Sequence, residues 1–202
     1  MSYTYALPVR KPRPLETLAV SPDPLLSRLI GTAGFEEGAR LYLERLRWPG
    51  GVVCPRCEGR AVLRLQNRRK YHCATCRYQF RVTAGTRLHD SHVPGWKWLV
   101  AVDLMLSADE SVTALELHEA LGGSFKTAWF LQHRILEALP AEGAEGQVPS
   151  RRRGKYRRAY AAEVSWRAAR RHRADQFRAT IVALLEAEPL RYRELVGSSA
   201  TR

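Results

Sequence analysis

The spacing of apolar positions changes several times along the chain, and each change marks an element. Between residues 35 and 48, Phe35, Ala39, Tyr42, Leu43 and Leu46 recur at helical spacing, with Glu36 and Glu37 early and Arg45 and Arg47 late, as the helix dipole favours. Pro49-Gly50-Gly51 ends that helix. Residues 61–65, 70–72 and 78–82 are short β-type runs that fit small antiparallel strands. A second helical stretch opens at Pro94, a residue tolerated in a first helical turn, and carries Trp98, Leu99, Val102, Met105 and Leu106. It is apolar on more than one side, which predicts a core helix.

Next, Ser111-Val-Thr113 offers a cap, and Ala114, Leu117, His118 and Leu121 follow at helical spacing. Gly122-Gly123-Ser124 interrupts, and a longer helix is predicted over residues 125–139. Two helices around a tight glycine turn are the sequence form of a helix-turn-helix. On a helical wheel Leu131, Ile135 and Leu139 share the side of Ala128, the buried face. Lys126, Phe130, His133 and Glu137 point away, with Thr127 and Arg134 on one flank. Ser124, Lys126, Thr127, His133 and Arg134 are therefore the candidate DNA contacts of this helix. The competing reading is a helix pair that only packs, and the net charge of −3 over residues 84–139 favours it.

The flanks differ in composition. Five of the eleven prolines lie in residues 1–24, which predicts an extended arm. From Pro140 onward, Ala supplies 12 and Arg 13 of 63 residues, including Arg151-Arg152-Arg153, and helical periodicity returns only near residues 177–185. The expected organisation is α+β: an arm over 1–27, a helix plus a small antiparallel β ribbon over 28–89, a helix-turn-helix domain over 90–140, and a basic tail over 141–202, partly helical or disordered.

All four cysteines fall in the ribbon. Cys54-Pro-Arg-Cys57 and Cys73-Ala-Thr-Cys76 have two residues inside each pair and fifteen between pairs, the spacing of a four-cysteine tetrahedral zinc site. Four thiolates leave no open position for water, so one structural Zn2+ is expected. Two disulfides or two redox CxxC motifs are the alternatives; a redox motif expects a βαβ context that is missing here.

Charge then identifies a class of partner. The 202 residues carry 33 Lys plus Arg against 20 Asp plus Glu, net +13, of which +7 lies in residues 54–83 and +7 in 140–202. A polyanion is expected, with nucleic acid ahead of an anionic membrane surface. No apolar run is long enough to span a bilayer, and the early prolines leave no secretory pattern, so no membrane association and a cytoplasmic location are expected. In the ribbon, Arg56, Arg68, Arg69, Lys70 and Arg77 are the candidate phosphate contacts. Tyr71, Tyr78 and Phe80 read as its small core ahead of a surface on which bases stack, and His72, His89 and His92 as surface or packing histidines rather than further metal ligands.

Several stretches in order resemble an insertion-sequence transposase family that carries a zinc ribbon ahead of its catalytic domain. They are Arg47-Trp-Pro-Gly-Gly-Val-Val-Cys-Pro-Arg-Cys57, Tyr71-His-Cys-Ala-Thr-Cys-Arg-Tyr-Gln-Phe80, Thr83-Ala-Gly-Thr86, His89-Asp-Ser-His92, Trp98-Leu99, and Ser124-Phe-Lys-Thr-Ala-Trp129 through His133-Arg-Ile135. The resemblance covers roughly residues 33–139 and implies that ribbon and helix-turn-helix together bind double-stranded DNA at transposon ends. The family's next domain resembles ribonuclease H and holds metal ions on spaced acids. The 63 residues after Leu139 are too few for it, so a transposase-derived fragment without its own catalytic centre is expected. A truncated gene would explain the Ala/Arg-rich tail as out-of-frame translation. Other readings are a DNA-binding subunit whose catalytic partner acts in trans, and a zinc-stabilised module that docks on protein or RNA. Homodimerisation stays open.

Overall fold

The computed structural model describes residues 23–65, 69–108, 111–139, 163, 165–166 and 176–197, and every structural statement below concerns these. The chain begins with α1 (Pro24–Arg47), passes through β1 (Val62–Leu65), β2 (Lys70–Cys73) and β3 (Gln79–Phe80), and continues with α2 (Gly95–Ser107), α3 (Ala114–Leu121) and α4 (Phe125–Leu136). Two later helices, α5 (Gln176–Glu186) and α6 (Tyr192–Gly197), complete the order. The class is α+β.

Helix α1 starts earlier than its apolar spacing predicts. Asp23 caps it, accepting the Leu25 N–H at 2.8 Å, and Pro24 fills the first helical position, where its missing N–H costs nothing. Proline density reads as an arm through residue 27, yet residues 24–27 are helical; the rest of the expected arm lies outside the described residues. At Gly34 the backbone turns to φ 78°, and α1 breaks into two halves that double back. They approach so closely that a Cβ on Gly38 would lie 2.7 Å from Ile30 backbone atoms. Only glycine fits there.

Both halves of α1 enter the main core. Leu26 and Ile30 from the first, and Ala39, Tyr42 and Leu43 from the second, pack with Trp98, Leu99, Val102 and Met105 of α2. Leu117 and Leu121 of α3, and Ala128, Leu131 and Ile135 of α4, extend it. Helix α2 meets α1, α3, α4 and α5, which explains its lack of a polar side.

Helix α5 places Phe177, Ile181, Leu184 and Leu185 in the same core, and Trp166 Nε1 donates to buried Thr180 Oγ1 at 3.3 Å. Packing therefore runs from α1 through α5 and does not follow the boundary expected at residue 140. The polybasic run 151–155 lies outside the described residues. Residues 176–186 of the expected tail thus join the main core, and Arg178 reaches back to Asp23 at 3.0 Å.

The ribbon is a three-stranded antiparallel sheet in the order β1-β2-β3, with Arg64 opposite Tyr71 and Tyr71 opposite Phe80. Its own core is small: Cys54, Tyr71, Cys73, Phe80 and Ala84. Trp48, just past α1, sets its edge against Tyr71 at 5.3 Å and Phe80 at 6.1 Å, joining ribbon to helix.

Asp23 locks the two ends of the fold together. Burial opposes its charge, but Tyr42 Oη at 2.7 Å, Arg178 and the Leu25 N–H outweigh that and hold its carboxyl below the usual range. The stability this supplies is present above the unfolded value near 3.8 and is lost as pH falls through the lower folded value. Asp23→Ala should cost about 2–4 kcal/mol in chemical denaturation at neutral pH. Asp23→Asn should flatten the acid limb of the stability profile, and an unchanged limb would show that the contact adds nothing.

Candidate metal centre and nucleic-acid interface

The two cysteine pairs sit on turns of the same build. In the first, the Glu58 N–H donates to the Cys54 carbonyl at 2.9 Å and the Cys54 N–H to the Gly59 carbonyl at 3.0 Å. In the second, the Arg77 N–H donates to the Cys73 carbonyl at 2.9 Å and the Cys73 N–H to the Tyr78 carbonyl at 3.0 Å. Glu58 and Arg77, each following the second cysteine of a pair, take φ of 58° and 60°. That left-handed step reverses the chain and brings both thiols of a pair to one side.

The four sulfurs converge within 4.8 Å of one another, with Cys54–Cys76 and Cys57–Cys73 at 3.6 Å. A tetrahedral zinc with Zn–S near 2.3 Å sets its sulfurs about 3.8 Å apart, so the set fits one ion. The separations exceed the S–S bond length of about 2.05 Å, and all four cysteines are free. The Cys76 N–H, with Cys57 and the Thr75 N–H, holds the Cys73 thiol down to about 6 against the effect of burial. Against a backbone hydrogen bond from Gly59, the neighbouring sulfurs push the Cys57 thiol up to about 12, and a bound metal takes both as thiolates. His72, His89 and His92 do not join the cluster.

Residues 34–79 match the transposase zinc-ribbon domain. The site is a structural zinc centre. The chain is also 32% identical, over 124 residues, to an uncharacterized protein in transposable element ISH50 of Halobacterium salinarum, a match covering 59% of this chain and 42% of that protein. The chain thus spans less than half the length of that relative. No solved structure matches it significantly.

Four thiolates on one Zn2+ leave a doubly negative centre, which part of the ribbon's basic excess offsets. The remaining cations are distributed unevenly. Arg69 Nη1 lies 3.4 Å from Glu36 and its Nε 3.8 Å from Glu37, and Arg64 reaches Glu37 at 3.8 Å. The acids at the start of α1's second half therefore neutralise the β1-β2 end, where Arg69 had been expected to meet phosphate. Arg68 lies outside the described residues. Lys70 is half-buried, while Arg56 and Arg77 are exposed and in no ion pair among the described residues.

On α4, Ser124 caps the helix, accepting the Thr127 N–H at 3.1 Å, and its hydroxyl pairs with that of Thr127 at 2.8 Å. Lys126 is exposed, its Nζ 4.5 Å from the Tyr192 ring centre. His133 and Arg134 do not face solvent as the wheel predicts; they are 0% and 3% exposed. His133 lies against the Trp129 ring at 4.2 Å, and Arg134 donates to the His89 carbonyl at 2.7 Å beneath Trp98 and Phe130. A wheel sees one helix, whereas here the 83–93 segment and α6 pack on its outer side. Burial and then the charge of Arg87 push the Arg134 pKa down to about 10.

Two residues without an assigned role in the sequence belong to the site's surroundings. Arg47 donates to the Val82 carbonyl at 2.5 Å and lies over Trp48 at 5.0 Å. Burial lowers its pKa. Gly85, with φ 74°, shapes the turn beside it and donates its N–H to His89 Nδ1 at 3.2 Å. Position 47 gave a helix-dipole signal and opened one of the resembling stretches, but neither pointed to this contact.

Purified chain should contain one zinc per molecule by elemental analysis, and Cys73→Ser should lose it. Chelation should unfold the ribbon while the helical far-UV signal largely persists, because α1 to α5 share a separate core. An unchanged metal content in the variant would contradict the assignment.

Proposed function

We propose that this chain is a transposase-derived protein that binds double-stranded DNA through its zinc ribbon and a helix-turn-helix formed by α3 and α4, without catalysing transposition itself. The observation that carries this reading is a zinc ribbon of transposase type whose knuckles present the unneutralised cations Arg56 and Arg77. Cations that neutralise phosphates release counterions, so such a face binds a polyanionic backbone with strong salt dependence.

The helix pair supports the second element. Thr113 and Glu116 form a capping box that starts α3, Gly122 and Gly123 take φ of 67° and 90° in the turn, and Ser124 starts α4. Ser124, Lys126 and Thr127 then stand at the exposed N-terminal end of the presumed reading helix. His133 and Arg134 are left out of this interface because they are buried.

The relative in a transposable element supports transposon-end-like DNA as the ligand. Strand chemistry would fall to a partner acting in trans or be absent. No helix among the described residues is long and apolar enough to cross a membrane, and a cytoplasmic location is part of the proposal.

Affinity for duplex DNA should fall on the order of 10²–10³-fold between about 50 and 200 mM salt for about five phosphate contacts, measured by fluorescence anisotropy. Competition should favour duplex DNA over RNA. Stronger competition by RNA, or an affinity flat in salt, would move the protein to the class of zinc-stabilised RNA or protein-docking modules.

A further inference from the structure

A notch of about 330 Å³ opens where the ribbon meets the 83–90 turn, lined by Pro55, Arg56, Tyr78, Gly85 and His89. Arg47 stands behind the Gly85 turn and outside that lining: a Cβ on Gly85 would be 3.9 Å from Arg47 Nη2 and 3.6 Å from Pro55. The Arg56 guanidinium sits 5.9 Å from the centre of the Tyr78 ring. One guanidinium, a phenol and an imidazole thus line one opening, with the Arg47 guanidinium behind the Gly85 turn.

Neither Arg47 nor Arg56 has a carboxylate partner among the described residues, whereas Arg40, Arg64, Arg69 and Arg178 all do. Arg47 is the more telling, because it is half-buried and donates to a neutral carbonyl. A guanidinium held beside a solvent-open notch without a carboxylate partner favours an arriving anion. Asp90 Oδ2 lies 3.5 Å from His89 Nε2 beside the notch; it is 83% exposed and therefore well screened.

We propose that this notch seats a phosphodiester group of the bound nucleic-acid backbone, with Arg56 and Arg47 on its anionic oxygens and Tyr78 and His89 at its edge. The assignment rests on the DNA-binding reading and deepens it. Guanidinium forks match phosphate geometry, and Gly85, lacking a side chain, leaves room for the backbone to approach. Such a contact fixes the ribbon's position on the duplex without reading sequence.

The test uses the full zinc-loaded chain and a mixed-sequence duplex. Arg56→Ala and the pair Arg47→Gln with Arg56→Ala are compared with wild type and with Arg28→Ala on the first half of α1. Zinc content and circular dichroism check that each folds. The slope of log affinity against log salt should shrink by about 1 for Arg56→Ala and by about 2 for the pair, with no change for Arg28→Ala. Amide resonances of Gly85 and His89 should shift with duplex and far less with inorganic phosphate at equal phosphate concentration.

Duplex binding with an unchanged slope in both variants and still resonances would overturn the notch while leaving DNA binding intact. Shifts with inorganic phosphate in a chain that does not bind duplex would overturn the nucleic-acid assignment and the DNA reading together.

Discussion

Four thiolates gathered on one metal are the constraint on which the ribbon depends. Its five core residues, two of them cysteines, bury too little apolar surface to hold three strands whose longest has four residues. Zinc binding supplies folding free energy on the order of 10 kcal/mol in sites of this kind, so the metal acts as the missing core. Everything the ribbon presents, including the positions of Arg56 and Arg77 on its two turns, follows from the closure of those turns around one ion.

The second requirement is that the ribbon be held against the helices. Trp48 carries α1 into the aromatic cluster of the sheet, and three arginines fasten the 82–89 segment to its neighbours. Arg47 takes the Val82 carbonyl, Arg134 takes the His89 carbonyl, and the Arg87 N–H reaches the Leu184 carbonyl at 3.1 Å. Arg134 is thus a buried strut between α4 and this segment. The C-terminal helix α5 belongs to the same framework, so the basic surface of the ribbon is oriented by a core that extends almost the full described length of the chain.

Legibility in the sequence followed the range of the forces involved. The cysteine spacing, the strands, the glycine turn and the buried stripe Ala128, Leu131, Ile135 and Leu139 are local patterns and could be read directly. Asp23-Pro24 was also a local signal, a cap followed by a proline at the first helical position, but surrounding prolines disguised it as an arm. The burial of His133 and Arg134, the pairing of Arg69 with Glu36 and Glu37, and the bond from Arg178 to Asp23 join segments far apart, and no periodicity announces them. The net charge of +13 likewise gained meaning only once its neutralised and free members were separated.

In the proposed function a metal-closed ribbon, seated by α1 and the 82–89 segment, offers its exposed cations to a nucleic-acid backbone, and the α4 N-terminus is the proposed reader. Hydrogen exchange of the zinc-loaded chain with and without duplex DNA tests this most directly, since it reports each segment separately. The account predicts added protection at both cysteine turns, around Gly85 and at the start of α4, with α5 unchanged. Protection confined to α5, or none in the ribbon under conditions where DNA is bound, would contradict it.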